Sequence, residues 1–299
     1  MKITETGKER VALTRLVLIY MLVFLAYRFL INTTPSHFLK PSFFLLELDL
    51  TYWFYKFSFI PGLIIYNQTG AAVFDMALFL FCGLGILFPL RRVFIWVFSC
   101  LYFIYAISYD TYIVHHANPL SVMVLITLPF WAKKNEHWKL LWEAMRYYIC
   151  FLYTSAFIWK TIIGNSFFVW DNGVNSVKYN LVEYLYHCPD TITALVLKYF
   201  ITHPFILNTG HVCIILLEGL MVVGFFTKKY DTCLMIFPVI IHLATYFFAD
   251  VFFIEMLVLV FVFFNKKQIT WLLKKFPLLG WYWNNNNEVT LKRASPGTN

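Results

Sequence analysis

Long apolar runs separated by short polar connections dominate this chain. A helix needs roughly 20 predominantly apolar residues to cross the hydrocarbon core of a bilayer. The runs predict an all-α, polytopic integral membrane helical bundle with about eight transmembrane helices, at residues 13–31, 71–90, 93–109, 118–132, 139–163, 209–227, 230–249 and 251–265.

Two further apolar segments carry features that argue against a membrane span. Residues 42–60 contain three charged side chains, so we predict an amphipathic or re-entrant element at the outer face that ends at Pro61-Gly62. Residues 176–203 are interrupted by a Cys-Pro-Asp sequence, and the part after it is too short to cross. We predict that this second half lies in the outer interface as a helix with Asp190 as its N-cap.

The basic residues predict how the spans are oriented. Cytoplasmic loops of membrane proteins collect Lys and Arg, and a cytoplasmic N-terminus places every basic doublet of this chain on that side. The net charge of +8 therefore reports topology rather than binding to nucleic acid. We predict cytoplasmic N- and C-termini and a bacterial cytoplasmic membrane as the location. The doublets include Arg91-Arg92, Lys133-Lys134, Lys228-Lys229, Lys266-Lys267 and Lys274-Lys275.

Composition supports one membrane domain. Hydrophobic residues make up 60% of the chain and charged residues 13%, against about 25% charged in soluble domains. We predict a single domain over 1–283, which includes an amphipathic helix at 266–276 on the anionic cytoplasmic leaflet, and a disordered cytoplasmic tail at 284–299. The six cysteines form no C-x-x-C pair, so we expect neither a disulfide framework nor a metal cluster.

Ionisable residues at bilayer depth are costly and are functional candidates by default. Lys160 follows an apolar stretch that offers it almost no polar partner, so it is a candidate base. The alternative is a lysine whose ammonium group reaches the outer interface. His211 and Glu218 lie seven residues apart, which places them on one helix face as a coupled acid–base pair or as a structural hydrogen bond.

Three histidines complete the candidate set. His242 is predicted in the outer half of a span, where an interhelical hydrogen bond is the alternative to a catalytic role. His115-His116 lie in a connection, and either could carry protons or simply be exposed. H-E-x-x-H, Gly-rich phosphate loops and G-x-S-x-G are absent from the sequence, which gives no support to zinc proteases, P-loop nucleotide binding or α/β-hydrolases.

The order of several short motifs resembles the HTTM family, the transmembrane region of vitamin K-dependent gamma-glutamyl carboxylases. Ala156 to Lys160 is similar to the family's Ala-Gly-x-x-Lys element, and Trp170 to Gly173 to its Trp-x-x-Gly turn. The pair His211 and Glu218 resembles the family's next helix, and Ile241-His242 its Phe-His pair. Phe157 stands where the family has glycine, and Trp159 where a second lysine is frequent.

The resemblance implies a role for each candidate. Lys160 would deprotonate a lipid hydroquinone, with His211, Glu218, His242 and His116 orienting the substrate or carrying protons. Trp159, Trp170 and Gly173 would contact the quinone cofactor. The chain also resembles stand-alone HTTM members, one of which matures a sporulation-delaying peptide toxin.

The leading hypothesis is thus a stand-alone HTTM-type protein that modifies or matures an exported peptide, protein or lipid at the outer face, with carboxylase-like lyase or oxidoreductase chemistry linked to a quinone. Its expected partners are membrane lipids and the exported substrate. A non-catalytic membrane scaffold or maturation partner is the alternative. A small-molecule transporter has less support because no inverted repeat is apparent.

Overall fold

The computed structural model describes residues 5–38, 50–112, 118–165, 169–249, 253–276 and 279. Every regular element within these ranges is helical, as the sequence predicts. In chain order the α-helices are α1 (Glu5–Leu30), α2 (Leu50–Phe57), α3 (Ile60–Ile64), α4 (Gln68–Leu87), α5 (Arg92–Tyr112), α6 (Asn118–Leu125), α7 (Asn135–Ile158), α8 (Asn172–Asn180), α9 (Val182–His187), α10 (Ile192–Thr202), α11 (Pro204–Leu220), α12 (Asp231–Ala249) and α13 (Lys266–Lys275).

Tighter and wider helical turns extend or separate these helices. The 3-10 segments are Pro35–His37, Leu128–Trp131, Met221–Phe225 and Ile254–Phe263, and a π-helical turn at Trp159–Ile163 continues α7. The chain divides into two compact units, the first formed by 1–142 and 265–299 and the second by 143–264. The single domain predicted over 1–283 stays a prediction.

In the first unit, α4 packs against both α1 and α5. The contact with α1 is close at Gly85, where a Cβ atom would lie 2.8 Å from Leu18 Cδ1. Arg15 is buried and donates to the carbonyl oxygens of Ile86 and Leu279, which satisfies groups that helix ends leave without partners. Buried arginine thus joins α1 to neighbouring segments of the same unit.

In the second unit, α11 packs against α8, α10 and α12, and α12 also packs against the Ile254–Phe263 segment. Around α8 and α10 a compact apolar cluster is formed by Val174, Val177, Leu181, Leu197 and Leu207. The segments that carry the predicted site residues Lys160, His211, Glu218 and His242 all belong to this unit.

Within the described residues, five helical segments are long and apolar enough to cross a membrane, or six if the bent pair Ile254–Phe263 and Lys266–Lys275 is one span. The five are Thr6–His37, Gln68–Leu87, Arg92–Thr111, Pro204–Phe225 and Asp231–Ala249, each at a predicted span. Composition and length thus support an integral membrane protein with several apolar helices.

The remaining predicted spans differ from this set for identifiable reasons. Residues 118–132 form two short helices, the second beginning around Pro129. Helix α7 is long enough, but Glu143 and Arg146 lower its hydropathy. The Ile254–Phe263 segment turns by 112° into α13. The eight-span count therefore has the support of five or six apolar segments.

Two local predictions were wrong. Pro61 was predicted to end an outer element, yet it lies in the first turn of α3, where its missing N–H costs no hydrogen bond. Asp190 was predicted as an N-cap, but Thr191 takes that position and its hydroxyl accepts from Ala194 N at 3.2 Å. The predicted helix at 266–276 is confirmed as α13, which starts with a capping box of Asn265 and Gln268.

Candidate functional site

Lys160 forms an ion pair with Glu218 of α11. The Nζ and Oε1 atoms are 2.5 Å apart, and the Glu218 side chain is 5% exposed while that of Lys160 is 37% exposed. The partner of Lys160 is thus 58 residues away in sequence, so the residues next to Lys160 gave no indication of it. Charge-assisted hydrogen bonds of this kind are among the strongest that proteins form.

The local backbone explains how Lys160 reaches this partner. Tyr153, Phe157 and Lys160 are spaced by four and three residues, so they form one stripe along α7 and its extension. Lys160 lies in the π-helical turn, which is closed by a 2.9 Å hydrogen bond from Gly164 N to Trp159 O. Single π-helical turns inside α-helices occur frequently at functional sites.

The facing helix α11 carries His211 and Glu218 two turns apart, as the sequence predicts. Gly219 allows α7 to approach, because a Cβ atom there would lie 2.9 Å from Phe157 Cδ2. The large Phe157 ring therefore fits against a position that lacks a side chain. The two helices keep a close contact beside the ion pair.

Helix α12 contributes His242 to the same cluster. Its Nε2 atom lies 2.7 Å from the Tyr153 hydroxyl, and its ring packs edge-on against Phe253 at 5.7 Å between centroids. The charge of Lys160 is close enough to act on both His211 and His242. The structure therefore brings together four residues singled out in the sequence, and adds Tyr153, which was missed.

Several buried polar atoms of this cluster have no hydrogen-bond partner among the described residues. They include Glu218 Oε2, His211 Nε2 and His242 Nδ1. Most buried polar groups in proteins are paired, and leaving one unpaired is costly. The set offers a carboxylate acceptor and two imidazole nitrogens, a combination that suits a ligand with hydroxyl or carbonyl oxygens. We call Tyr153, Lys160, His211, Glu218 and His242 the Lys160 centre.

The predicted cofactor contacts differ in their surroundings. Trp159 and Trp170 are 61% and 50% exposed, and Trp170 packs against Phe205 at 5.8 Å between ring centroids. Gly173 lies where α8 crosses α11, and a Cβ atom there would be 2.8 Å from Asn208 Cα and closer still to the Leu207 carbonyl. Gly173 thus has a packing role. His116 and its neighbour His115 lie outside the described residues.

Among the buried charged residues that were not recognised as sites from the sequence are Arg146 and Asp75. Arg146, 2% exposed, binds both carboxylate oxygens of Asp231 and the carbonyl oxygens of Gly224 and Thr227. Asp75, 4% exposed, accepts from the backbone and hydroxyl of Ser36 in the first unit. An isolated charge within an apolar run was the available signal for each.

Within the described part of the chain, no three His, Cys, Asp or Glu side chains are grouped as metal ligands. The Lys160 centre is thus built from an ion pair and imidazoles. Comparison of the chain with protein families, with curated proteins and with solved structures finds no match.

Proposed function

We propose that this chain is a stand-alone HTTM-type membrane enzyme that modifies or matures an exported peptide, protein or lipid at the outer face, using a lipid hydroquinone. The observation that carries the proposal is the Lys160–Glu218 pair, whose carboxylate is buried, with the Glu218 Oε2, His211 Nε2 and His242 Nδ1 atoms that have no partner among the described residues. It brings together, from separate helices, the residues that the family resemblance selects.

The pair can accept and pass on a proton. Transfer of one proton from Lys160 Nζ to Glu218 Oε1 converts the ion pair into a neutral amine and a carboxylic acid, and this exchange leaves the net charge of the site unchanged. The amine is then a base within hydrogen-bond reach of a substrate hydroxyl. Proton transfer by such a positioned group typically contributes about 10²–10⁴-fold to a rate.

The neighbouring residues position the substrate. His242 is fixed by the Tyr153 hydroxyl on one nitrogen. Its Nδ1 atom has no partner among the described residues and is available for a second contact. His211 supplies a further nitrogen without a partner among the described residues. A bound hydroquinone would supply acidic hydroxyls and redox chemistry; His211 and His242 would hold its oxygens, and Lys160 would take the proton.

The proposal includes an orientation in a bacterial cytoplasmic membrane. It keeps eight spans, with α7 and residues 118–132 crossing despite their lower hydropathy, and cytoplasmic termini. This orientation places α8, α9 and α10 at the outer face, where an exported substrate would arrive. The basic doublets support it.

The resemblance to the carboxylases implies that oxygen is the oxidant of the deprotonated hydroquinone. The test is therefore oxygen uptake by proteoliposomes supplied with the hydroquinone form of vitamin K. We expect uptake above that of protein-free liposomes, and its loss in Lys160→Met. Lys198→Met is the matched control, because Lys198 lies on α10 and its ammonium donates to the Pro189 carbonyl. Wild-type uptake equal to that of empty liposomes, or full uptake by Lys160→Met, would contradict the proposal.

A membrane scaffold or maturation partner is the second candidate, and one observation favours it. Helices α8 to α10 expose large apolar side chains, with Tyr179, Tyr186 and Ile192 at 84%, 79% and 82%. Such a surface suits a bound peptide or another membrane protein. This function predicts that substitutions at 42–66 and 176–203 impair maturation more than Lys160→Met does.

A further inference from the structure

A cavity of about 680 Å³ lies in the first unit, between α1, the Pro35–His37 turn and α4. This volume is typical of small-molecule sites, which span roughly 300–1,000 Å³. Residues three and four apart on each helix line it, so that one face of α1 meets one face of α4. The lining consists of Ala26, Phe29, Leu30, Ser36, Ala72, Asp75, Met76 and Phe79.

Asp75 is the one residue with a formal charge in this lining. Its Oδ2 atom accepts from Ser36 N at 3.1 Å and from Ser36 Oγ at 2.5 Å. Its Oδ1 atom is buried and has no hydrogen-bond partner among the described residues. The carboxylate thus meets an apolar cavity with one oxygen satisfied and one without a donor.

Anchoring of the Pro35–His37 turn accounts for only one oxygen of the Asp75 carboxylate, Oδ2. One acceptor atom satisfies both donors of Ser36, and Gln68 Nε2 holds the same turn through the Ser36 carbonyl at 2.8 Å. An asparagine would serve that purpose without a buried charge. A carboxylate oxygen without a donor at bilayer depth is costly, so its retention points to a ligand.

We propose that this cavity binds a lipid-soluble primary amine, whose ammonium group donates to Asp75 Oδ1 and whose apolar body lies against Phe29 and Phe79. An ammonium both satisfies the oxygen and neutralises the carboxylate, whereas a hydroxyl would leave a net charge in an apolar site. None of the described residues that line the cavity is basic, so a phosphate-bearing headgroup would find no cationic partner among them.

The rim of the cavity allows entry from the bilayer. Leu30 and Met76 are 78% and 63% exposed, and both lie on helices apolar enough to cross a membrane. The two inner rings, Phe29 and Phe79, meet edge to face at 6.0 Å between centroids. The site is thus apolar at its walls and acidic at one point, and it does not involve the Lys160 centre.

The test measures binding of radiolabelled oleylamine to the full chain in phosphatidylcholine nanodiscs, with protein-free nanodiscs subtracted. Oleyl alcohol, oleic acid and phosphatidylethanolamine serve as competitors. Asp75→Asn keeps the acceptor for Ser36 and removes the charge, and Ala72→Leu fills the cavity. Glu183→Gln removes an exposed acid of α9 as the control.

We expect the affinity of Asp75→Asn for oleylamine to be at least about tenfold lower than that of the wild type, because a charge-assisted hydrogen bond is lost. Ala72→Leu should also lose binding, and Glu183→Gln should bind as the wild type does. Oleyl alcohol competing as well as oleylamine, or wild-type affinity in Asp75→Asn, would overturn the proposal. Stronger competition by phosphatidylethanolamine would assign the site to a lipid headgroup instead. If Asp75→Asn does not fold, the Ala72→Leu variant is sufficient as a test: oleylamine binding at wild-type affinity by Ala72→Leu would overturn the proposal.

Discussion

Two ionic clusters in the second unit differ in how completely their polar atoms are paired. Arg146 donates to Asp231, Gly224 and Thr227, and its guanidinium also approaches Glu143 at 3.6 Å. The Lys160 centre instead keeps several atoms without partners among the described residues. Each nitrogen of the Arg146 guanidinium has an acceptor, although Glu143 Oε1 beside it has no hydrogen-bond partner among the described residues. A fully paired buried guanidinium fixes structure, whereas unpaired polar atoms in a native structure require an explanation such as a ligand. Arg146 is therefore structural, and Lys160 is the functional candidate.

Arg146→Met should destabilise the protein strongly. Breaking a buried ion pair by removing one partner typically costs about 3–5 kcal/mol, because the other charge stays buried without compensation. The measurement is unfolding of the detergent-solubilised protein by added denaturing detergent. Lys228→Met is the control, since Lys228 pairs with Glu143 at the surface and such pairs contribute roughly 0–1 kcal/mol. Equal stability of the two variants would contradict the structural role of Arg146.

At the scale of whole elements, the second unit depends on close helix crossings. Gly173 brings α8 against the backbone of α11, and Gly219 brings α11 against Phe157 of α7. Small residues at such crossings let helices approach, which favours packing inside a membrane. The side chains of the Lys160 centre can meet only while these helices keep their spacing.

Gly173→Ala should destabilise the crossing of α8 and α11. Its Cβ atom would press on the Leu207 carbonyl, which cannot rotate away as a side chain could, and such overpacking costs about 1–3 kcal/mol. Gly210→Ala on α11 is the matched control, because a Cβ atom there has open space. Thermal unfolding in detergent compares the two. A Gly173→Ala protein as stable as Gly210→Ala would favour the cofactor contact predicted from the sequence.

Periodicity and composition predicted the long elements, because burial in lipid requires continuous apolar runs. The break near Cys188 and the helix after Asn265 were also found, since cap and turn residues act locally. The partner of Lys160 and the contact of Asp75 with Ser36 were not predicted, because each contact joins residues far apart in sequence. The N-cap of α10 is Thr191, one residue after the predicted Asp190. Both residue types favour the N-cap position, so the sequence alone does not distinguish them.

For the whole molecule, the open question is which side of the membrane each connection occupies. Six spans and eight spans both leave α8 to α10 outside when the N-terminus is cytoplasmic. They disagree over Lys133-Lys134, which lie inside with eight spans and outside with six. The basic doublet favours the inside.

A cysteine at position 134 should therefore be protected from a membrane-impermeant maleimide in intact cells. Lys134→Cys is compared with Lys198→Cys, which lies on the exposed surface of α10 and should be labelled from outside. Both are made with Cys188→Ser, which removes the native thiol between α9 and α10. Labelling of Lys134→Cys before permeabilisation would contradict the eight-span arrangement.

The proposed function requires that the Lys160 centre bind a quinone-type ligand from the membrane. Native mass spectrometry of the protein in nanodiscs loaded with a lipid quinone measures this binding, with wild type beside Lys160→Met and Lys198→Met. We expect a retained quinone mass in the wild type and in Lys198→Met, and its loss in Lys160→Met. A quinone retained equally by all three, or by none, would contradict a quinone site at the Lys160 centre.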